Sequence, residues 1–317
     1  MTFQSREAPP EWQEFVTRLW YQEVPRPRPY EKILPLPYVH AIVNLSAPYR
    51  LFDRQGEAVR VDDAFVSGIQ SEYLVIESPP VIRHVGVEFT PQGLRAFTSV
   101  PPSEVTGRVL AAEAVLPGAA ELAAELRDRA ALEPAEALDA LESFLRSRRR
   151  AGIEADPIAT ALLAALAADP QRRIGELAVQ AGVSHRTLLA HVRAACGMLP
   201  KRYAELLRFH RFVSALPIGE TMPTWADAAA ASGYYDQPHV IRAFRRFSGL
   251  APGEYLALVR EFGPDAASFV PLDEVPIAAR SSRSESRSES ESKSESKSKS
   301  KPSSGSTSYK PPAAARR

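Results

Sequence analysis

Two short clusters of side chains have the types and spacing to read nucleic-acid bases. The first is Arg186, Leu189, Ala190 and Arg193. The second is Gln237, Pro238, His239, Ile241, Arg242, Arg245 and Arg246. On a helical wheel the first set lies opposite an apolar stripe of Leu188, Val192 and Ala195. The second lies opposite, or beside the face opposite, Val240, Phe244 and Phe247. An arginine fork matches guanine O6 and N7, a glutamine amide matches adenine N6 and N7, and an isoleucine such as Ile241 can meet a thymine methyl. A lone basic helix is ordinarily a solvated face. Two of them at matching places in a repeated pattern point to base reading.

Other residues invite other chemistry. His40 and His84, with Glu77 or Glu88, give an alternative reading: a metal-dependent enzyme built on the N-terminal strands. Against it, two histidines on central strands also serve as polar groups of a core or pocket. His185, His191, His210 and His239 sit on different elements with no acidic partner at ligand spacing, and His191 and His239 read as flanking or phosphate-contacting groups. Cys196, the single cysteine, falls at an inward helical position and reads as a buried thiol. It excludes a disulfide framework and a cysteine-based zinc site. No catalytic residue, no metal site and no cofactor is expected.

The elements that must position the two clusters are helix-turn-helix units. In the first, Ala178 precedes Gly182 by four residues, Gly182 suits the tight turn, and Ser184 caps the next helix. In the second, Ala229 precedes Gly233, and Asp236 takes the cap position. Between them, residues 200–216 read as one long helix, a rigid spacer stopped by Pro217 and Gly219. Asp156-Pro157 opens a supporting helix through Leu166.

Upstream, residues 31–90 read as short β-strands, at 38–45, 64–66, 73–76 and 81–89, separated by turn signals. Helices follow near 117–131 and 134–148. The expected fold is an α+β N-terminal domain, a small barrel or jelly-roll-like sheet with helices, plus an all-α DNA-binding domain. The domain reading is an N-terminal arm at 1–30, with Trp12, Phe15, Leu19 and Trp20 on one short helix before a proline-rich extended stretch. A sensor or oligomerisation domain at 31–150 follows, then the helix-turn-helix domain at 156–258, with Arg148–Gly152 as linker. Residues 280–317, rich in Ser, Arg, Lys and Glu, read as a disordered tail.

Charge separates these regions. Residues 1–170 hold 17 basic and 24 acidic side chains, whereas 171–260 hold 12 and 6, and 280–317 hold 10 and 4. A basic segment beside an acidic one suggests a polyanionic partner for the first and a different task for the second. Met1–Glu23 lacks a basic-then-apolar leader pattern, and no apolar run approaches ~18 residues. A cytoplasmic protein without membrane contact is expected.

Residues 157–257 resemble the AraC/XylS family of transcription regulators. The resemblance rests on Gly233-Tyr-Tyr-Asp236-Gln237-Pro-His239, on Arg242-Ala-Phe244, and on two closings of the form Gly-x-x-Pro-x-x-Tyr, Gly197–Tyr203 and Gly249–Tyr255. Pro238 and Val240 stand where the family usually has Ser and Phe. Ile33-Leu-Pro and Gly86–Gly93 resemble the variable sensor domain of a subgroup. The resemblance implies activation or repression of transcription through the major groove of double-stranded DNA, with an unknown small-molecule effector held in the N-terminal domain. RNA polymerase and a second copy of the chain are candidate partners. Rival readings are a DNA-alkyl-damage repair protein, which needs reactive acceptor cysteines, and a nucleoid-type binder without sequence preference.

The tail's 10 basic and 4 acidic residues can neutralise phosphates but carry no sequence information. Truncation after Ala279 is expected to flatten the slope of log K against log salt, by about 0.9 for each phosphate that the tail had neutralised. The preferred site should stay unaltered in a site-selection assay. A changed consensus would contradict this.

Overall fold

The computed structural model describes residues 2–129, 131–216, 234, 237–263 and 269–274. The tail, the Pro217–Gly219 stop, and Ala229, Gly233 and Asp236 of the second unit lie outside the described residues.

Among the described residues, eleven antiparallel strands form two sheets. They are β1 (Thr2–Glu7), β2 (Val16–Pro25), β3 (Tyr30–Ile33), β4 (Val39–Asn44), β5 (Tyr49–Phe52), β6 (Ala58–Val61), β7 (Ala64–Ser67), β8 (Leu74–Glu77), β9 (Val81–Phe89), β10 (Val109–Ala111) and β11 (Phe269–Leu272). The first sheet runs β1-β2-β9-β4-β7-β10, the second β11-β3-β8-β5-β6. Successive side chains of a strand point to opposite faces. Along β9, Val85, Val87 and Phe89 enter the main core, while Ile82, His84 and Glu88 turn inward between the sheets. The core side of the first sheet is covered by helices α2 (Ala119–Arg127) and α3 (Pro134–Arg148), through Leu122, Leu126, Leu138, Leu141 and Leu145. A short helix α1 (Pro102–Val105) precedes β10.

The N-terminal reading is corrected. Residues 2–25 are not an arm with a short helix but two strands of the larger sheet, and β2 pairs along its length with β9. Trp12, Phe15, Leu19 and Trp20 are all buried. Their spacing imitates a helix because a 3-10 turn at Pro10–Trp12 runs straight into the strand. The aromatic and β-branched run Val16-Thr-Arg-Leu-Trp-Tyr then satisfies its backbone on β9 and packs on both faces. Pro25 ends the strand.

Among the described residues the helical part comprises α4 (Pro157–Ala168), α5 (Ile174–Gln180), α6 (His185–Cys196), α7 (Pro200–Ser214), α8 (Gln237–Ser248) and α9 (Pro252–Phe262). Helix α7, the expected spacer, spans about 22 Å. The Arg148–Gly152 segment is pinned rather than loose: Arg150 donates to the Thr98 carbonyl at 2.8 Å, and Arg148 to that of Pro117 at 2.7 Å. After α9 the chain returns to the second sheet, where β11 pairs with β3.

The helical part is docked on the sheets at the ends of α6, α7 and α8. Thr106 donates its hydroxyl to the Cys196 carbonyl at 2.8 Å, Tyr203 to that of Pro37 at 3.4 Å, and Arg54 to that of Arg246 at 3.2 Å. Gly197 and Gly249, the glycines of the repeated closing, end α6 and α8 with φ of 73° and 68°. A Cβ on Gly249 would lie 2.5 Å from the Tyr73 ring, which also stacks under the Lys32 ammonium at 4.3 Å. Gly182 has a similar φ of 66° but open space around it. Alanine at either place meets the left-handed penalty of ~1–2 kcal/mol. Gly249→Ala is expected to cost a further ~1–3 kcal/mol through the clash. Urea unfolding of the full chain checks this, and equal losses for Gly182→Ala and Gly249→Ala would contradict the docking.

Candidate nucleic-acid interface and interior cavity

Helix α6 starts where Ser184 accepts the Thr187 N–H at 3.1 Å. Leu188, Val192, Ala195 and Cys196 are buried beneath it. Arg186, Ala190 and Arg193 are exposed, and Leu189 is half-buried between them. His191 does not extend outward as a flanking group. Its Nδ1 lies 2.7 Å from Asp156 Oδ2, and Asp156 also accepts the Ala159 N–H as cap of α4. This pair bolts the first candidate recognition helix to its supporting helix. Burial opposes the Asp156 charge, but those two contacts hold its carboxyl below the usual range.

Helix α8 buries Val240, Phe244 and Phe247. Pro238, Arg242 and Arg245 are exposed, and His239 and Ile241 are half-buried. Gln237 begins the helix. Among the described residues Arg186, Arg193, Arg242 and Arg245 have no ion-pair partner. Arg246 differs: it pairs with Glu205 of α7 at 2.8 Å and lies over the Phe247 ring. It therefore anchors α8 to the linker helix. The buried faces of both helices follow the sequence pattern, while the His191–Asp156 and Arg246–Glu205 pairs join elements whose proximity no local spacing announces. Cys196 is buried, and desolvation pushes its thiol up to about 11, so it is inert at neutral pH.

A cavity of about 300 Å³ lies between the two sheets. Its walls are Trp20, Ile42, Phe65, Leu51, Ile76 and Ile82, and its rim includes Tyr38, Phe269 of β11 and His210 of α7. Tyr38 and His210 meet edge to face at 6.0 Å. Sequence reasoning found His40 and His84 but not the charged pairs beside them. Arg26 and Glu31 meet at 2.8 Å with both side chains buried, and Arg18 meets Glu88 at 2.9 Å. Burial raises the Glu31 carboxyl despite its partner.

These contacts give the metal-enzyme alternative no support. Glu88 is engaged by Arg18, Glu77 by Arg50, and both ring nitrogens of His84 by Tyr49 and Gln22. Among the described residues no three His, Cys, Asp or Glu side chains come together as a ligand set. No described helix is long and apolar enough to cross a membrane.

Comparison with known proteins matches residues 177–257 to a helix-turn-helix domain family, and residues 4–111 to a domain of unknown function, DUF6597. A protein of Streptomyces lividans described as an AraC-like transcription regulator is 35% identical over 103 residues, which are 32% of this chain and 33% of that one. One of Streptomyces antibioticus with the same description is 34% identical over 103 residues, with the same coverage. The chain thus spans about a third of the length of the curated relatives it matches. Among solved structures, ToxT of Vibrio cholerae is 12% identical, covering 81% of this chain and 98% of its own, with a TM-score of 0.44.

The cavity makes a prediction about acid stability. Burial, with some repulsion from Arg18 and Arg26, pushes the His40 and His84 imidazoles down to about 4 and about 3. In the unfolded chain they titrate near 6.5. Below that pH the unfolded state takes up protons that the folded state refuses. Their contribution is therefore complete above about pH 7 and is lost as pH falls from about 6.5 toward 4. The urea midpoint should decline over that window, less steeply in His84→Gln. A midpoint constant from pH 7.5 to 5 would contradict neutral burial.

Proposed function

Through residues 177–257 the chain belongs to the AraC/XylS family, and we propose that it is a sequence-specific DNA-binding regulator of transcription. The observation that carries this is the pair of helices α6 and α8, fixed to one linker helix and presenting outward arginines that have no ion-pair partner among the described residues. In this reading both enter the major groove of double-stranded DNA, in adjacent segments. Arg242 reads guanine, Ile241 meets a thymine methyl, and Gln237 reads adenine at the edge. Pro238, His239 and Arg245 complete that surface, while Arg246 acts as a positioning residue through Glu205. On α6, Leu189 and Ala190 supply apolar contact between Arg186 and Arg193. Such a protein works in the cytoplasm, beside RNA polymerase.

The interior cavity serves as the site of a small-molecule effector. Its position supports this, because His210 of α7 forms part of its rim. A ligand there touches the element that carries both recognition helices, so occupancy and DNA binding are linked through α7.

The second unit should carry more base specificity than the first. A good bidentate contact discriminates by ~1–3 kcal/mol, and apolar contact gives less. Arg242→Ala should lose affinity for the best site and relax preference at one base pair. Arg186→Ala should weaken binding evenly across sequences. A binding assay over all single-base variants of the site, with wild type and both variants, decides between them. A more selective half-site under α6 would overturn this assignment, and absence of any sequence preference would overturn the proposed function.

A further inference from the structure

The polar groups facing the cavity fall into two kinds. The charged ones are matched in sign, Arg26 with Glu31, Arg18 with Glu88, and Glu72 with Arg54 at 3.2 Å, although Arg26 Nε and Glu31 Oε2 are themselves buried without a hydrogen-bond partner among the described residues. A carboxylate ligand would have to break one of these pairs or, at the free Arg26 Nε, sit beside Glu31 with no counter-charge of its own, and either is unfavourable. The histidines differ from each other. His84 is saturated, Nε2 with the Tyr49 hydroxyl at 2.9 Å and Nδ1 with the Gln22 amide at 3.4 Å. His40, on the neighbouring strand, lines the same cavity, yet its ring makes no hydrogen bond among the described residues. Its Nε2 is fully buried without a partner.

Buried polar atoms are normally paired, and an unpaired one is costly. A neutral imidazole offers one donor and one acceptor. Across the sheet His40 is flanked by Ser67 and by Glu88, which is engaged by Arg18, and beyond them Trp20, Ile42 and Phe65 supply an apolar and aromatic lining. The volume of about 300 Å³ is at the small end of ligand pockets.

We infer that the cavity takes a compact, uncharged, mostly apolar molecule bearing one group that both donates and accepts a hydrogen bond, such as a phenol, alcohol or amide, and that His40 reads that group. This rests on the reading of the cavity as an effector site. Burial keeps the imidazole neutral, with its pKa near 4, so the same recognition operates throughout the neutral range.

The test uses three probes of one skeleton, naphthalene, 2-naphthol and 2-naphthoate, titrated calorimetrically into the full chain. The expected result is 2-naphthol binding about tenfold tighter than either of the others. His40→Leu should bring 2-naphthol down to the affinity of naphthalene, whereas His40→Gln, which keeps a donor and an acceptor, should retain the preference. The ranking in the wild-type chain decides the charge requirement even if His40→Leu does not fold. Tighter binding of 2-naphthoate overturns the inference, as does a 2-naphthol preference that survives His40→Leu. Binding of none of the three overturns the effector reading as well. Binding without selectivity overturns only the chemistry assigned here.

Discussion

Helix α7 is packed on several sides at once, and the placement of both candidate recognition helices follows from that packing. Tyr203, Leu206, Leu207, Phe209, Phe212 and Val213 are all buried. Phe209 stacks on Phe247 with ring centroids 4.7 Å apart and meets Phe244 at 5.5 Å, so α8 is seated on aromatic contacts. Truncating such a ring costs roughly 3–5 kcal/mol, a large share of the stability of an ordinary domain. At the other side Arg211 donates to the carbonyls that end α4, where a cation also meets the negative end of the helix dipole. The helix is therefore a structural part of both units.

The same helix closes onto the sheets. Tyr203 reaches the Pro37 carbonyl, His210 meets Tyr38, and β11 returns the chain to β3 beyond α9. The two-residue period of the strands then divides the N-terminal part into a dry core under α2 and α3 and a cavity between the sheets. In that cavity, charges are neutralised in pairs and most polar groups are spent on each other. His40 departs from that pattern, as its ring makes no hydrogen bond among the described residues, whereas Arg26 and Glu31 keep each other while leaving Nε and Oε2 unpartnered; a departure of this kind marks a site better than volume does.

Local signals gave much of this away. Helix α3 falls at 134–148 and strand β9 at 81–89, as their patterns predict, because each has a long, consistent period and clear stops. The buried faces of α6 and α8 were equally legible. What was not legible depends on partners distant in the chain. β2 carries a spacing that a helix could share until its pairing with β9 is known. β11 is four residues long, contains Pro271, and lies on a sheet edge, where proline is tolerated. The docking role of Gly197 and Gly249 could not be separated from their role in ending helices, since both demand the same backbone conformation. Ion pairs such as Arg246–Glu205 change what an exposed arginine can do without leaving any trace in local sequence.

Helix α7 holds the two candidate recognition helices in one fixed frame. Adjacent major-groove segments on one face of B-DNA recur at about 10 base pairs. Once the bound site is mapped, inserting five base pairs between the segments under α6 and α8 turns one of them to the opposite face. Tight binding is expected to be lost on this insertion and to recover at least in part when ten are inserted. Unchanged affinity for the five-base-pair insertion would contradict the fixed frame.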